Sequence, residues 1–155
     1  MSNLEKEDDL CSKPILITER SVLSSFYIFT KTLFEHGDMN QHDYDHLHVR
    51  LNNHVPMKFK PSFVIYLRSD PNTCFQRIQQ RKRVGEKNIS LDYVMSIHEQ
   101  HEVWIQSFDT EDPVRRPLIL DTTDESPENM ARNMKLATDH ISSVMFEIFA
   151  KTQAV

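Results

Sequence analysis

Three short runs of apolar residues occur along the chain, and each is followed by polar residues and then by a helical pattern. The runs cover residues 14–18, 62–67 and 117–121 and are rich in Ile, Leu and Val. Short continuous apolar runs of this kind are typical of strands that are buried on both faces, as in parallel sheets. The pattern therefore predicts three parallel strands.

Five segments show the spacing of apolar residues that is expected for amphipathic helices. Asp70-Pro71 and Ser126-Pro127 each place a capping side chain before a proline at the first helical position. Strands that alternate with helices predict an α/β fold with three layers, in which helices cover both faces of a parallel sheet. The helices are predicted at about 20–36, 40–54 and 71–83, and after Ser90 and Ser126.

The composition is that of an ordinary globular protein, with 155 residues, 39% hydrophobic and 26% charged. We expect one domain over residues 14–155 and a mobile acidic tail over residues 1–13. The formal net charge of −5 argues against binding to a nucleic-acid polymer, which requires a basic surface. We expect no contact with a membrane, because no apolar run is long enough to span one. Cys11 and Cys74 lack CxxC spacing, which fits a reducing compartment. We expect a cytoplasmic or mitochondrial location, and no targeting segment is visible.

The ends of the predicted strands carry charged side chains. In open parallel sheets, ligands bind outside the carboxyl ends of the strands. Those ends are residues 19–20, 68–70 and 121–124, and the first two combine an acidic residue with an arginine. A carboxylate beside an arginine suits a metal-bound polyphosphate. Structural ion pairs and helix N-caps would show the same spacing, so the residues leave both interpretations open.

A basic stretch runs from Arg77 to Glu86 and places four cations within seven residues. We expect Arg77 and Arg81 to point outward from the third helix, which is predicted to end before Gly85. Mobile arginines supply charge stabilisation in phosphoryl transfer. The stretch therefore indicates either a cationic lid over a phosphate or, less specifically, a solvated helix face.

The histidines match no known metal motif. His98 and His101 are three residues apart, whereas the zinc-protease pattern needs a spacing of four, so we expect a structural role for both. Among the histidines between residues 36 and 54, only His42 and His46 share a helix face, and we expect no metal site there.

Several short motifs follow one another at separations that match a known family. They are Glu19-Arg20-Ser21-Val22, Tyr27-Ile28-Phe29, Val64-Ile65-Tyr66-Leu67-Arg68, Arg77-Ile78, Arg81-Lys82-Arg83, Leu91-Asp92-Tyr93 and His98-x-x-His101-Glu102-x-Trp104. In this order they resemble the deoxyribonucleoside kinase family over residues 15–123, and most of all its mitochondrial thymidine kinase and insect multisubstrate branch.

The resemblance implies a P-loop kinase fold and an activity in nucleotide salvage. Enzymes of this family transfer the γ-phosphate of ATP to the 5′-hydroxyl of a deoxynucleoside with the help of Mg²⁺. The resemblance also implies a homodimer, which would form through the helices predicted at 20–36 and 40–54.

The resemblance assigns roles to five residues on the nucleoside side of the site. Glu19 would help to hold Mg²⁺, and Arg20 would lie at the reacting 5′-oxygen. Phe29 would stack on the base, and Glu86 would bind the 3′-hydroxyl of the sugar. Ser25 falls where the family tunes base choice, and its small side chain favours a pyrimidine.

The resemblance assigns the remaining roles to the side of ATP. Arg77, Arg81 and Arg83 would be the lid arginines around the phosphates, and Arg81 and Arg83 would take part in catalysis. The loop that contains Asp124 and Glu125 would lie near the adenine.

The chain departs from the family in its glycines. The G-x-x-G-x-G-K-[ST] loop of these kinases binds phosphates through its backbone N–H groups and its lysine. This chain has two glycines, Gly37 and Gly85, and neither precedes a lysine in such a loop. We therefore expect the P-loop, its strand and the general base to be missing, and the chain alone to be inactive. Two interpretations follow: a kinase whose N-terminal third is missing, or a non-catalytic kinase-like protein that acts through its dimer helices.

Overall fold

The computed structural model describes residues 16–54, 61, 63–108, 111 and 116–153. These residues belong to two compact units, one up to Pro61 and one from Ser62 onward. The tail predicted at 1–13 lies outside the described residues.

In its described residues, the first unit contains two helices, both of which the sequence predicts. Helix α1 has three consecutive parts, α-helical Val22–Ser24, π-helical Ser25–Thr30 and α-helical Lys31–Glu35, and α2 is Gln41–His54. Ser21 caps α1: its Oγ accepts a hydrogen bond from the N–H of Ser24 at 3.1 Å, and the Oγ of Ser24 accepts one from the N–H of Ser21 at 2.8 Å. Gly37 follows α1 with φ 79°, which is why the helix ends there.

Aromatic rings pack α1 against α2. Phe26 is buried, and its ring stacks on Tyr44 with 5.3 Å between centroids. Phe34 stacks on the same tyrosine with 4.4 Å between centroids. Leu51, two helical turns further along α2, is buried. Only part of each predicted apolar stripe is therefore buried: Phe26 and Leu51 lie in the core with Ile28, whereas Val22 and Leu47 are exposed.

The second unit is a parallel sheet flanked by helices. Its elements are β1 Ile65–Arg68, α3 Pro71–Arg81, α4 Leu91–Gln106, β2 Leu118–Asp121 and α5 Pro127–Gln153. Strands β1 and β2 pair in parallel, with Ile65 opposite Leu118 and Arg68 opposite Asp121. Two of the three predicted strands, their parallel pairing and the helices that follow them are therefore confirmed.

The remaining strand prediction, at residues 14–18, is wrong in the part that the structure describes. Residues 14 and 15 lie outside the described residues, and residues 16–18 form no strand. Leu16 and Ile17 are 55% and 75% exposed. A strand is stable only when a neighbouring strand satisfies its backbone N–H and C=O groups, and an apolar run does not reveal whether such a neighbour is present.

Burial of the sheet is also less complete than the apolar runs predict. Tyr66 and Leu120 are buried, but Leu67 is 62% exposed and Ile119 is 41% exposed. Among the described residues the sheet has two strands, so each strand has one neighbour, and the flanking helices cover the faces of the sheet only in part. None of the described helices is both long and apolar enough to cross a membrane.

Candidate functional site

Arg20 lies in the turn before α1, with a backbone conformation that is unusual for its residue type. Its φ is 66°, in the left-handed region. Residues other than glycine adopt this region at a cost in free energy, and such residues are concentrated at functional sites. Thr18 holds the turn, because its Oγ1 donates a hydrogen bond to the carbonyl oxygen of Arg20 at 3.0 Å. Both Arg20 and Glu19 are exposed.

Ser25 and Phe29 lie together in the π-helical part of α1. Single π-helical turns inside α-helices occur frequently at functional sites. The guanidinium of Arg20 lies 4.4 Å from the centroid of the Phe29 ring, which is a cation–π contact. The structure thus brings together Arg20 and Phe29, the arginine and the aromatic residue that the family resemblance assigns to the nucleoside side of the site.

Asp70 caps the start of helix α3, as predicted. Its Oδ1 accepts hydrogen bonds from the N–H groups of Asn72 at 2.9 Å and Thr73 at 3.3 Å. The N–H of Thr73 does most to hold the pKa of the Asp70 carboxyl below its usual range, and the side chain and the N–H of Asn72 add to this effect. Asp70 is therefore the N-cap of α3, which agrees with the structural interpretation of this strand end.

Arg81 and Glu86 form a two-pronged ion pair beyond the end of α3. Nε and Nη2 of Arg81 each donate to a carboxylate oxygen of Glu86 at 2.8 Å. The intervening turn contains two left-handed residues, Lys82 with φ 50° and Gly85 with φ 96°. We call residues 82–86 the lid turn. Arg83 is exposed on it.

Arg77 does not point outward as expected from the sequence. Its Nε lies 2.7 Å from Glu125 Oε1, and its Nη1 donates to Ser69 Oγ at 3.1 Å. Its Nη2 donates to the carbonyl oxygens of Thr122 at 2.8 Å and Thr123 at 3.1 Å. The helix carries Arg77 past the end of β1, so the guanidinium meets the loop that follows β2.

That loop, residues 121–126, connects β2 to α5, and we call it the β2–α5 loop. Asn129, which is 8% exposed, donates from Nδ2 to the carbonyl oxygens of Asp121 at 3.0 Å and Asp124 at 2.7 Å. Asn133 also donates to the Asp121 carbonyl, at 2.7 Å. The amide side chains of α5 therefore hold both ends of the loop.

The two aspartates of the loop have partners within it. Asp121 accepts from the N–H of Thr123 at 2.8 Å, and Asp124 accepts from Ser126, at 2.6 Å from Oγ and 2.9 Å from the N–H. Thr123 lowers the pKa of Asp121, and Ser126 lowers that of Asp124, because both donate to the ionised form. A shallow cleft beside the loop is lined by Thr73, Gln76, Arg77, Gln80, Thr123, Asp124 and Glu125.

A network between β1 and α4 was not predicted. Glu102 accepts hydrogen bonds from both prongs of Arg68, with 2.9 Å from Nε, and from the Tyr66 hydroxyl at 3.1 Å. The ring of His101 stacks on Tyr66 with 5.4 Å between centroids, and His98 Nε2 lies 3.9 Å from Glu102. Arg68 and Glu102 each lie in a motif of the family resemblance, but the sequence gives no sign that these two motifs contact each other.

A parallel sheet flanked by helices, with arginines beyond its strand ends, defines an α/β protein. Within that class, the sequence model described as deoxynucleoside kinase matches residues 1–148. The chain belongs to the deoxynucleoside kinase family, as its motifs predict.

Known relatives bear the names of several kinases of this family. The chain is 31% identical over 139 residues to deoxycytidine kinase 2 of Gallus gallus, and the matched region covers 85% of this chain and 52% of that protein. It is 34% identical over 143 residues to the mitochondrial deoxyguanosine kinase of Xenopus laevis, with 83% and 54% covered. It is 32% identical over 131 residues to the mitochondrial thymidine kinase 2 of Homo sapiens, with 82% and 48% covered. The chain thus spans about half the length of these relatives.

Solved structures share the fold. A deoxyadenosine kinase from M. mycoides with bound dCTP matches 76% of this chain and 60% of its own, with a TM-score of 0.64 and 24% identity. The structure of that enzyme with bound dATP matches 86% of this chain and 68% of its own, with a TM-score of 0.66 and 22% identity. The α/β fold, with its parallel sheet and flanking helices, is therefore shared with these deoxyadenosine kinase structures.

Proposed function

We propose that this chain carries part of the site of a deoxynucleoside kinase, which transfers the γ-phosphate of ATP to the 5′-hydroxyl of a deoxynucleoside. The contact between Arg20 and Phe29 carries this proposal. It joins a strained, exposed arginine to an aromatic ring in a π-helical turn. In the proposed site the ring of Phe29 stacks on the base, and Arg20 turns from the ring to the reacting 5′-oxygen.

The lid turn supplies positive charge on the side of ATP. Phosphoryl transfer is mainly positioning and charge stabilisation, and Arg81 presents the planar fork that binds phosphate oxygens in pairs. In the proposed function Arg81 and Arg83 bind the ATP phosphates, and Glu86, once released from Arg81, accepts the 3′-hydroxyl of the sugar. Asp124 and Glu125 lie in the loop proposed to flank the adenine.

Mg²⁺ would neutralise the transferring phosphate when bound. Among the described residues, no group of three or more His, Cys, Asp or Glu side chains is arranged to hold a metal ion. Mg²⁺ is often held by one or two carboxylates together with substrate phosphates. Glu19, an exposed carboxylate beside Arg20, fits the role of one such ligand.

We propose a pyrimidine as the preferred base and inactivity of the 155-residue chain by itself. Ser25 is exposed in the same π-helical turn as Phe29, and its small side chain supports the choice of base. Neither Gly37 nor Gly85 belongs to a phosphate-binding glycine loop with a lysine, which supports inactivity.

The homodimer is proposed on the family resemblance and on exposed apolar side chains. Val22 and Leu33 of α1 are 52% and 36% exposed, and Leu47 and Val49 of α2 are 38% and 54% exposed. Sedimentation of the purified chain tests the proposal: a dimer that Val49→Glu dissociates is expected, and a monomer at all concentrations would refute it.

The experiment for the function compares binding with turnover in the purified chain. We expect binding of thymidine and of ATP, each followed by NMR titration, and no transfer of γ-phosphate to thymidine or deoxycytidine. Phe29→Ala should weaken thymidine binding, and Arg81→Ala should weaken ATP binding. The absence of both binding reactions would refute the site, and turnover that Arg81→Ala abolishes would refute inactivity.

A further inference from the structure

The β2–α5 loop is held by side chains from two helices. Four consecutive carbonyl oxygens, those of residues 121–124, accept hydrogen bonds from side chains outside the loop. Arg77 of α3 binds the middle two, and Asn129 and Asn133 of α5 bind the outer two. Carbonyl groups of surface loops are ordinarily left to water. These side-chain hydrogen bonds to the carbonyl groups of residues 121–124 restrain the conformation of the loop.

Arg77 provides the contacts from α3. A guanidinium has five N–H donors, and Arg77 directs them to Ser69, Thr122, Thr123 and Glu125. These four contacts leave one donor for any further partner. A phosphate oxygen that needs two parallel hydrogen bonds would have to break the contacts with the loop.

The contacts of Arg77 differ in strength. The side chain of Glu125 is 72% exposed, so water screens its ion pair with Arg77. Ser69 is 8% exposed, and the carbonyl oxygens of Thr122 and Thr123 accept charge-assisted hydrogen bonds. The hydrogen bonds that the guanidinium fork donates, rather than its ion pair with Glu125, therefore hold the loop.

We propose that Arg77 is a positioning residue, which fixes the β2–α5 loop for the adenine of the donor nucleotide and does not bind the phosphates. The proposal rests on the proposed kinase function for the identity of its ligand. Arg77 acts only through the loop, and Arg81 and Arg83 supply the positive charge at the phosphates.

The test separates shape from charge with Arg77→Lys, which keeps the charge and loses the fork. The first measurement is hydrogen exchange, by mass spectrometry, of the peptide that contains the N–H groups of Thr122 and Thr123. Exchange should rise about tenfold in Arg77→Lys and Arg77→Gln, because hydrogen bonds to a charged group are lost. Lys87→Gln, a charge loss at an exposed site, and Glu125→Gln should stay within about twofold of the wild type.

The second measurement compares affinity for ATP with affinity for inorganic tripolyphosphate, which has no base. Arg77→Lys should weaken binding of ATP about tenfold and leave binding of tripolyphosphate within about twofold. Circular dichroism and the melting curve establish that the variants are folded.

Two results would overturn the positioning role: wild-type exchange in Arg77→Lys, or equal losses of ATP and tripolyphosphate affinity in that variant. A wild-type chain that binds neither ligand would instead refute the proposed nucleotide site and, with it, the adenine as the ligand of the loop. The exchange measurement alone then decides whether Arg77 holds the loop.

Discussion

Replacement of Glu102 by glutamine tests the network that joins β1 to α4. In the wild type, the Glu102 carboxylate accepts from both prongs of Arg68 and from the hydroxyl of Tyr66. Glutamine has nearly the same size, but it has one acceptor oxygen and no charge. One prong of the Arg68 fork would then face an amide N–H₂ group that cannot accept its hydrogen bond.

The expected loss follows from burial. A hydrogen bond to a charged group contributes about 1.5–3 kcal/mol. The side chains of Arg68 and Glu102 are 41% and 24% exposed, so water screens part of the interaction. We therefore expect Glu102→Gln to lower the free energy of unfolding by about 1–2 kcal/mol. The melting temperature should fall by about 3–6 °C.

Urea unfolding followed by tryptophan fluorescence measures this loss. Trp104 is the only tryptophan of the chain and lies two residues beyond Glu102 on α4, so its emission reports on this helix. Glu99→Gln is the matched control, because Glu99 is exposed on the same helix and should change stability by less than about 0.5 kcal/mol. Equal losses in the two variants would refute the network as the cause.

The pH dependence gives an independent check on the same variant. Burial raises the pKa of Glu102, but the hydrogen bonds from Arg68 and Tyr66 outweigh burial and lower it. A carboxyl whose pKa is lowered in the folded state stabilises it above the unfolded pKa of about 4.3, and this contribution is lost as the pH falls through the folded pKa. The stability difference between wild type and Glu102→Gln should therefore be constant from about pH 6 to 8 and shrink below about pH 4. A difference that stays constant down to pH 3 would contradict this account.

Three further predictions concern the lid turn and the β2–α5 loop. Glu86→Gln should raise the affinity of the chain for tripolyphosphate about two- to fivefold at low salt, because Arg81 loses its competing carboxylate, and the gain should shrink at high salt; calorimetry that shows no gain would contradict it. Gly85→Ala should destabilise the lid turn by about 1 kcal/mol through its φ of 96° alone, since an added Cβ meets nothing within 4 Å; faster hydrogen exchange of residues 82–86 measures the change, and unchanged exchange would count against it. Asn129→Ala should lower the free energy of unfolding by about 1–3 kcal/mol, because it removes two hydrogen bonds, one of the two side-chain bonds to the Asp121 carbonyl and the bond to the Asp124 carbonyl; in urea unfolding its loss should exceed that of Asn133→Ala, which removes one hydrogen bond.

The sequence predicts helices and their starts well here because the signals are local. Asp70 followed by Pro71 predicts the start of α3, and the capping side chain reaches only two and three residues along the chain. The apolar run that includes Leu16 and Ile17 resembles the runs of β1 and β2, yet it forms no strand in the described residues. Its state depends on a neighbouring strand, which no local pattern encodes.

The candidate site shows the same limit. Arg77 and Arg81 lie one turn apart on α3, and nothing in their spacing distinguishes them. Arg77 contacts Thr122, 45 residues away, whereas Arg81 contacts Glu86, five residues away. The difference comes from the position of the β2–α5 loop, so the sequence predicts the basic cluster but not the division of roles within it.

The arginines differ in how readily each can exchange its present partner for a ligand. Arg20 contacts the ring of Phe29, and Arg81 has a single carboxylate partner, Glu86, with its own side chain 46% exposed. Exchange of partners gives up one cation–π contact at Arg20, and at Arg81 one ion pair whose two side chains are 46% and 21% exposed, each of which contributes about 1 kcal/mol. Arg77 would have to give up several hydrogen bonds, two of them to backbone carbonyl groups. For this reason we expect Arg20 and Arg81 each to bind a ligand by exchange of its present partner, and Arg77 to keep its contacts with the β2–α5 loop.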